Sequence, residues 1–184
     1  PEGGTTPSYG EIVMARQSTE RIAIHVLIRP RAGDFLYTET EVGAMLHDIQ
    51  VAHQLGVQGV VIGCLTPDGD IDRLMAAARP LSVTFHRAFD VCRDPRASLE
   101  LLIRHGVDRV LTSGQEATAV QGIPLLRELV SQADGRIVVM PGCGVRADNI
   151  ARIESETGAR EFHTSARRVV ESGMIYRNER VPMG

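Results

Sequence analysis

The pattern that most constrains this chain is the repeated succession of an apolar run and a helical segment. Runs that read as strands fall near Ile22–Ile28, Gly59–Cys64, Ser82–Phe85, Arg109–Thr112, Ile137–Met140 and Glu161–His163. The segments between them carry helix signals. Thr38 to Glu41 reads T-x-x-E, a capping box, and the helix it opens stops at Gly56. In "DPRASLELLIRHG", Asp94 is the N-cap, Pro95 takes the first helical position and Gly106 is the stop. "IPLLRELVSQADG" and "RADNIARIESETG" repeat that form, and "DIDRLMAAARP" makes a short crossover helix. Repeated strand–helix units imply a parallel sheet, either closed into a barrel or open and doubly wound.

Strand parity separates these two. In "IAIHVLIRP", Ile24, Val26 and Ile28 share one face, whereas His25, Leu27 and Arg29 share the other. In "SVTFHR", Val83 and Phe85 oppose Thr84 and His86; in "EFHTSA", Phe162 and Thr164 oppose Glu161, His163 and Ser165. A barrel has helices outside only, so one face is apolar and the other mixed. An open sheet covered on both sides would be apolar on both. The expectation is an α/β, TIM-type (β/α)8 barrel forming a single domain over residues 1–184. Eight units occupy ~250 residues in such barrels, so six units leave it roughly two short, and sequence upstream of Pro1 is expected.

Composition narrows the function classes. A formal net charge of −3 and a pI near 6.1 argue against a nucleic-acid binder, which normally shows a basic footprint. No apolar run approaches the ~18 residues of a membrane span. Three separated cysteines, Cys64, Cys92 and Cys143, give neither a disulfide framework nor a zinc ribbon and fit a reducing cytoplasm.

Polar residues recur where strands end. Arg29 has Asp34 just beyond it; His86 is followed by Arg87 and Asp90; Ser113 and His163 with Ser165 close two further strands. Barrel enzymes place their sites at this C-terminal mouth. Buried charges must pair or face water, so one alternative is a structural network in which Asp34 and Asp90 hold Arg29 and Arg87. "PGCGVRADN" adds a Gly-x-Gly turn between strand and helix, where Gly142, Gly144 and Arg146 could cradle an anion with Ser165 opposite, or serve only as a tight turn. A metal site would have to be assembled by the fold from Cys64, His86 and His163, because no local ligand spacing unites them.

The stretches "PEGGTTPSYG", "HVLIRPRAGDF", "LTPDGDID", "VTFHRAFDVCRDP", "VDRVLTSGQ", "PGCGVRADN" and "GAREFHTSA" together resemble the copper homeostasis protein CutC family over nearly the whole chain. The resemblance implies a cytoplasmic TIM-type barrel, a copper ion as ligand and a homo-oligomer. It also implies that a first strand–helix unit and a second strand precede Pro1, and that a distal C-terminal segment follows. Ala32 and Cys143 stand where the family pattern usually has Gly. Two function classes follow for the mouth. One is copper binding in copper homeostasis. The other is an enzyme on a small anionic or phosphorylated metabolite, with His86 as general acid/base supported by Arg87 and Asp34, and Arg29 on the anion. A third reading is a scaffold whose polar mouth is only a network.

Overall fold

In the computed structural model, which describes residues 3–65, 70–176, 178 and 180, five parallel strands stand side by side in chain order. They are β1 (His25–Leu27), β2 (Gly59–Ile62), β3 (Ser82–Phe85), β4 (Arg109–Thr112) and β5 (Val138–Pro141). Helix α1 (Tyr9–Ser18) precedes β1, and α2 (Glu39–Gln54), α3 (Asp70–Ala78), α4 (Pro95–Arg104) and α5 (Ile123–Ala133) join successive strands, with α6 (Ile150–Thr157) after β5. A doubly wound sheet reverses its strand order at a switch point. This sheet does not reverse, which is the winding of a TIM-type barrel.

The register explains the two faces. Leu27, Val61, Thr84, Arg109 and Val138 pair in one row across the sheet, on its inner face. Val26, Val60, Val83, Val110 and Val139 alternate with them and are buried beneath the helices together with Met45, Ile49, Leu74, Leu99, Leu126 and Ile153. Two residues beyond the inner row, parity brings Arg29, Gly63, His86, Leu111 and Met140 to the same level. The mouth is therefore built by strand periodicity and not by loop chance.

The expected bounds of β3 and β4 agree with the structure, and both caps at Thr38 and Asp94 are formed. One expectation is corrected, and two further elements stand outside the expected pattern. Glu161–His163 is not a strand; it is tied to the sheet by the His163 amide, which donates to the Pro141 carbonyl at 2.9 Å, and by the Glu161 carboxylate, which accepts from Arg109 Nε at 2.6 Å. Helix α1 was not anticipated, although Ser8 and Glu11 form a second capping box. A 3-10 helix, Arg87–Val91, follows β3 directly. Residues 66–69, within "LTPDGDID", lie outside the described residues.

Candidate functional site

His86 ends β3 on the inner face and is 6% exposed. Its Nδ1 accepts the Ala88 backbone N–H at 3.0 Å, which caps the 3-10 helix. An amide N–H can only donate, so the neutral imidazole carries its single proton on Nε2. That atom is buried and has no hydrogen-bond partner among the described residues. Burial, and then the nearby Arg29 charge, push the pKa of His86 down to about 4. The ring lies flat on β2 only because residue 63 is Gly: a Cβ there would stand 2.3 Å from the His86 Cε1.

Arg29, also 6% exposed, follows β1. Its Nη1 donates to Gly4 O at 3.2 Å and its Nη2 to Gly33 O at 2.8 Å. Thr6 ties the N-terminal segment to its backbone, with the Thr6 amide donating to Arg29 O and the Arg29 amide to Thr6 Oγ1, both at 2.9 Å. Phe35 links the two inner groups. Its ring centroid is 5.1 Å from the Arg29 guanidinium carbon and 4.9 Å from the His86 ring. Sequence reasoning singled out the charges of "RPRAGDF" and passed over this Phe. An aromatic six residues after a buried Arg, at the far end of the same loop, was the available signal.

Asp34 does not meet Arg29. Its carboxylate is 72% exposed and accepts from Arg31 Nη2 at 3.0 Å, and that hydrogen bond holds its pKa below the usual range. Arg31 also donates to Glu41 at 2.5 Å and stacks over Tyr37, so it cross-links the loop to α2. Arg87, by contrast, has the anticipated partner. Its Nε donates to Asp90 at 2.6 Å and its Nη2 to Ser113 Oγ at 3.0 Å. Asp90 further accepts from Thr112 Oγ1 at 2.5 Å and from the Ser113 amide at 3.0 Å. Arg87, Asp90 and Ser113 are thus one latch joining the ends of β3 and β4.

Gly142 packs its α-carbon between Leu111 and His163, since a Cβ would lie 2.4 Å from Leu111 Cδ1 and 3.4 Å from His163 Cβ. His163 stands beside β5 at the mouth, open to solvent on one side, with desolvation on the other lowering its pKa. The anion cradle is less complete than its sequence suggests. The Gly142 amide is spent on Thr112 O, and the Arg146 amide on Asn149 Oδ1. The Arg146 side chain is 3.7 Å from Asp148 at the surface, and Ser165 is exposed. Gly144 O accepts from Asn149, consistent with turn chemistry. Cys143 adopts φ 73°, the left-handed region that favours Gly. Cys143→Gly should therefore stabilise the fold by about 1 kcal/mol, read from the urea midpoint; a loss of stability would show that the Sγ contact to Ala117 O matters more.

Cys64 is separated from both histidines by parity. Gly59, Val61 and Gly63 face inward, so Cys64 turns to the helices and joins the buried core. His86, for its part, offers no lone pair: Nδ1 is taken and Nε2 is protonated. Among the described residues no group of three or more His, Cys, Asp or Glu side chains could hold a metal ion. The trio Cys64, His86 and His163 does not fit copper.

Comparison with known proteins adds an independent line. Residues 1–168 match the CutC family. A CutC family protein of Parabacteroides distasonis is 67% identical over 189 residues, covering 100% of this chain and 78% of that protein. A copper homeostasis protein cutC homolog of Homo sapiens is 52% identical over 188 residues, covering 100% of this chain and 68% of the homolog. The crystal structure of a copper homeostasis protein CutC from Streptococcus agalactiae superimposes with a TM-score of 0.84 at 37% identity, over 88% of this chain and 82% of that one.

Proposed function

The chain belongs to the CutC family, and on that premise we propose that it serves copper homeostasis by recognising a small anionic ligand at the C-terminal mouth of its barrel. The observation that carries this reading is the pair Arg29 and His86. Both are buried, both come from strand ends on the inner face, and both pack on Phe35. A cation and a neutral N–H donor converging on one spot favour an anion over a cation. The role in copper handling comes from the names of the relatives, with copper as the cargo of the process and not as an ion held by the mouth histidines. Cu(I) favours thiolate and thioether ligands.

The cytoplasmic, homo-oligomeric part of the reading rests on the family resemblance and on three free cysteines. No helix among the described residues is long and apolar enough to cross a membrane. As a general base His86 would have to take a proton on Nδ1 and give up the Ala88 bond, and its pKa near 4 makes it a weak base at neutral pH.

Two titrations test the proposal. Inorganic phosphate or acetate should raise the midpoint of thermal unfolding over chloride at equal ionic strength, because a ligand that binds only the folded state stabilises it. Competition with a chromophoric Cu(I) chelator should show weak copper binding that Cys64→Ala leaves unchanged. Tight Cu(I) binding abolished by Cys64→Ala would restore the copper trio, and the absence of any anion effect would remove the mouth as a ligand site.

A further inference from the structure

We propose that Arg109 is a positioning residue for His163: by holding the Glu161 carboxylate across the inner face, it sets where the His163 imidazole stands at the mouth. The proposal rests on the reading of the mouth as an anion site only for what His163 then does. Residues 161–163 follow α6 without joining the sheet as a strand, yet their side chains alternate as a strand's do. Phe162 packs against the buried core. Glu161 turns the other way, to Arg109 of β4. His163 lies against Gly142 at the end of β5, where a Cβ would stand 3.4 Å from His163 Cβ and 3.6 Å from its Nδ1. In extended chain, residues two apart share a face and are separated by about 7 Å. Anchoring Glu161 therefore places His163.

The anchor is built from both sides. Arg109 Nε donates to Glu161 Oε2 at 2.6 Å, with Nη2 3.4 Å from Oε1, so the guanidinium fixes the plane of the carboxylate as well as its distance. Nη1 donates to Ser82 Oγ at 2.9 Å, which holds the guanidinium itself from β3. Arg109 pairs with Thr84 on one side and Val138 on the other. Val138 has no polar side-chain atom, so the reach past β5 to Glu161 falls to Arg109. Without it, the bond from the His163 amide to Pro141 O remains, and one such bond fixes a distance but not a rotation. The exposure of the pair separates positioning from stability. Its side chains are 28% and 41% exposed, and an ion pair that open to water contributes little to folding. His25 stands near both charges, but burial, and then the Arg109 charge, lower its pKa. It stays neutral near pH 7 and does not draw the Glu161 carboxylate away.

The experiment follows the His163 imidazole by NMR in the intact, isotope-labelled chain. Wild-type His163 should titrate below its ordinary 6.5, because one side of the ring is desolvated. Arg109→Met should move its resonances and raise its midpoint toward 6.5. Arg109→Lys, which keeps a charge for Glu161 but not the fork, should recover part of the change. Glu161→Gln, which keeps an acceptor oxygen, should move His163 less than Glu161→Ala. Inorganic phosphate or acetate should shift the wild-type His163 resonances, and Arg109→Met should weaken that response about 3- to 10-fold, the worth of one misaligned hydrogen bond. Glu100→Gln is the control, since it breaks an ion pair on the helical layer, with Arg136, far from His163 in the chain. A folded Arg109→Met in which His163 titrates as in wild type would overturn the inference, and so would a control that moves His163 equally. Should Arg109→Met fail to fold, the two Glu161 variants decide, because Arg109 stays in place. If no anion shifts His163, Arg87 or Ser113 in the wild type, the ligand reading fails, while the effect of Arg109 on His163 still stands or falls by its own titration.

Discussion

Asp90→Ala should lower the free energy of unfolding by about 3–5 kcal/mol, the cost of stripping one partner from a buried, hydrogen-bonded charge. The Asp90 carboxylate is 6% exposed and accepts from four residues at and beyond the ends of β3 and β4, namely Arg87, Thr112, Ser113 and Gln115. Arg87 Nε, Thr112 Oγ1, Ser113 N and Ser113 Oγ all lie within 2.5–3.1 Å of it. Thr112 and Ser113 are themselves inaccessible, so their groups cannot turn to water when the carboxylate goes. Arg87 is different: its side chain is 41% exposed, and solvent takes up part of its loss. The estimate therefore rests on the buried hydroxyls and amides at ~1–3 kcal/mol for each unsatisfied group, tempered by partial relaxation. Urea midpoints for Asp90→Ala and Asp90→Asn measure it. Asn keeps the shape and one acceptor oxygen, so it should cost less than Ala. If Ala costs under about 1 kcal/mol, water has replaced the carboxylate and the latch is not what joins the two strand ends.

How much of this was legible in the sequence depends on the range over which each signal acts. The box at Thr38 and the Asp94–Pro95 start are written within four residues, and both formed as read. The same grammar was present at Ser8 and Glu11 but lacked an apolar stripe to support it; Ile12 is the single buried residue of α1. His86 as a helix cap was illegible for a chemical reason. Ser, Thr, Asp and Asn are the usual caps, and an imidazole is not among them.

Parity put Arg29 and His86 on one face of the sheet, as the register has them, and also held the answer for Cys64. A strand that starts inward at Gly59 turns residue 64 outward, so position along the strand separated it from His86 before any coordinate did. Asp34 failed for the opposite reason. Nearness in sequence favoured Arg29, but two arginines, 29 and 31, compete for one carboxylate, and the loop's turn decides between them. The proton on Nε2 depends on an amide two residues away in a conformation that no periodicity predicts.

The second large effect is acid sensitivity arising from His86 itself. The folded state holds its pKa near 4, chiefly by burial and then by the Arg29 charge, against 6.5 for the unperturbed ring. Between these values the unfolded chain binds a proton that the folded chain refuses, so stability falls as pH falls through this window and is unaffected above it. The full difference is about 3 kcal/mol, and about 2 kcal/mol of it should appear between pH 8 and pH 5. His25 and His163 are also lowered by burial and push the curve the same way, so the wild-type profile alone is not diagnostic. The difference between wild type and His86→Gln isolates the effect, since a neutral amide cannot take the proton. Urea midpoints at about pH 8, 6.5 and 5 should converge or cross, with the variant losing less stability on acidification. Parallel profiles would mean that His86 titrates alike in the folded and unfolded chains, and that its burial does not set the acid sensitivity.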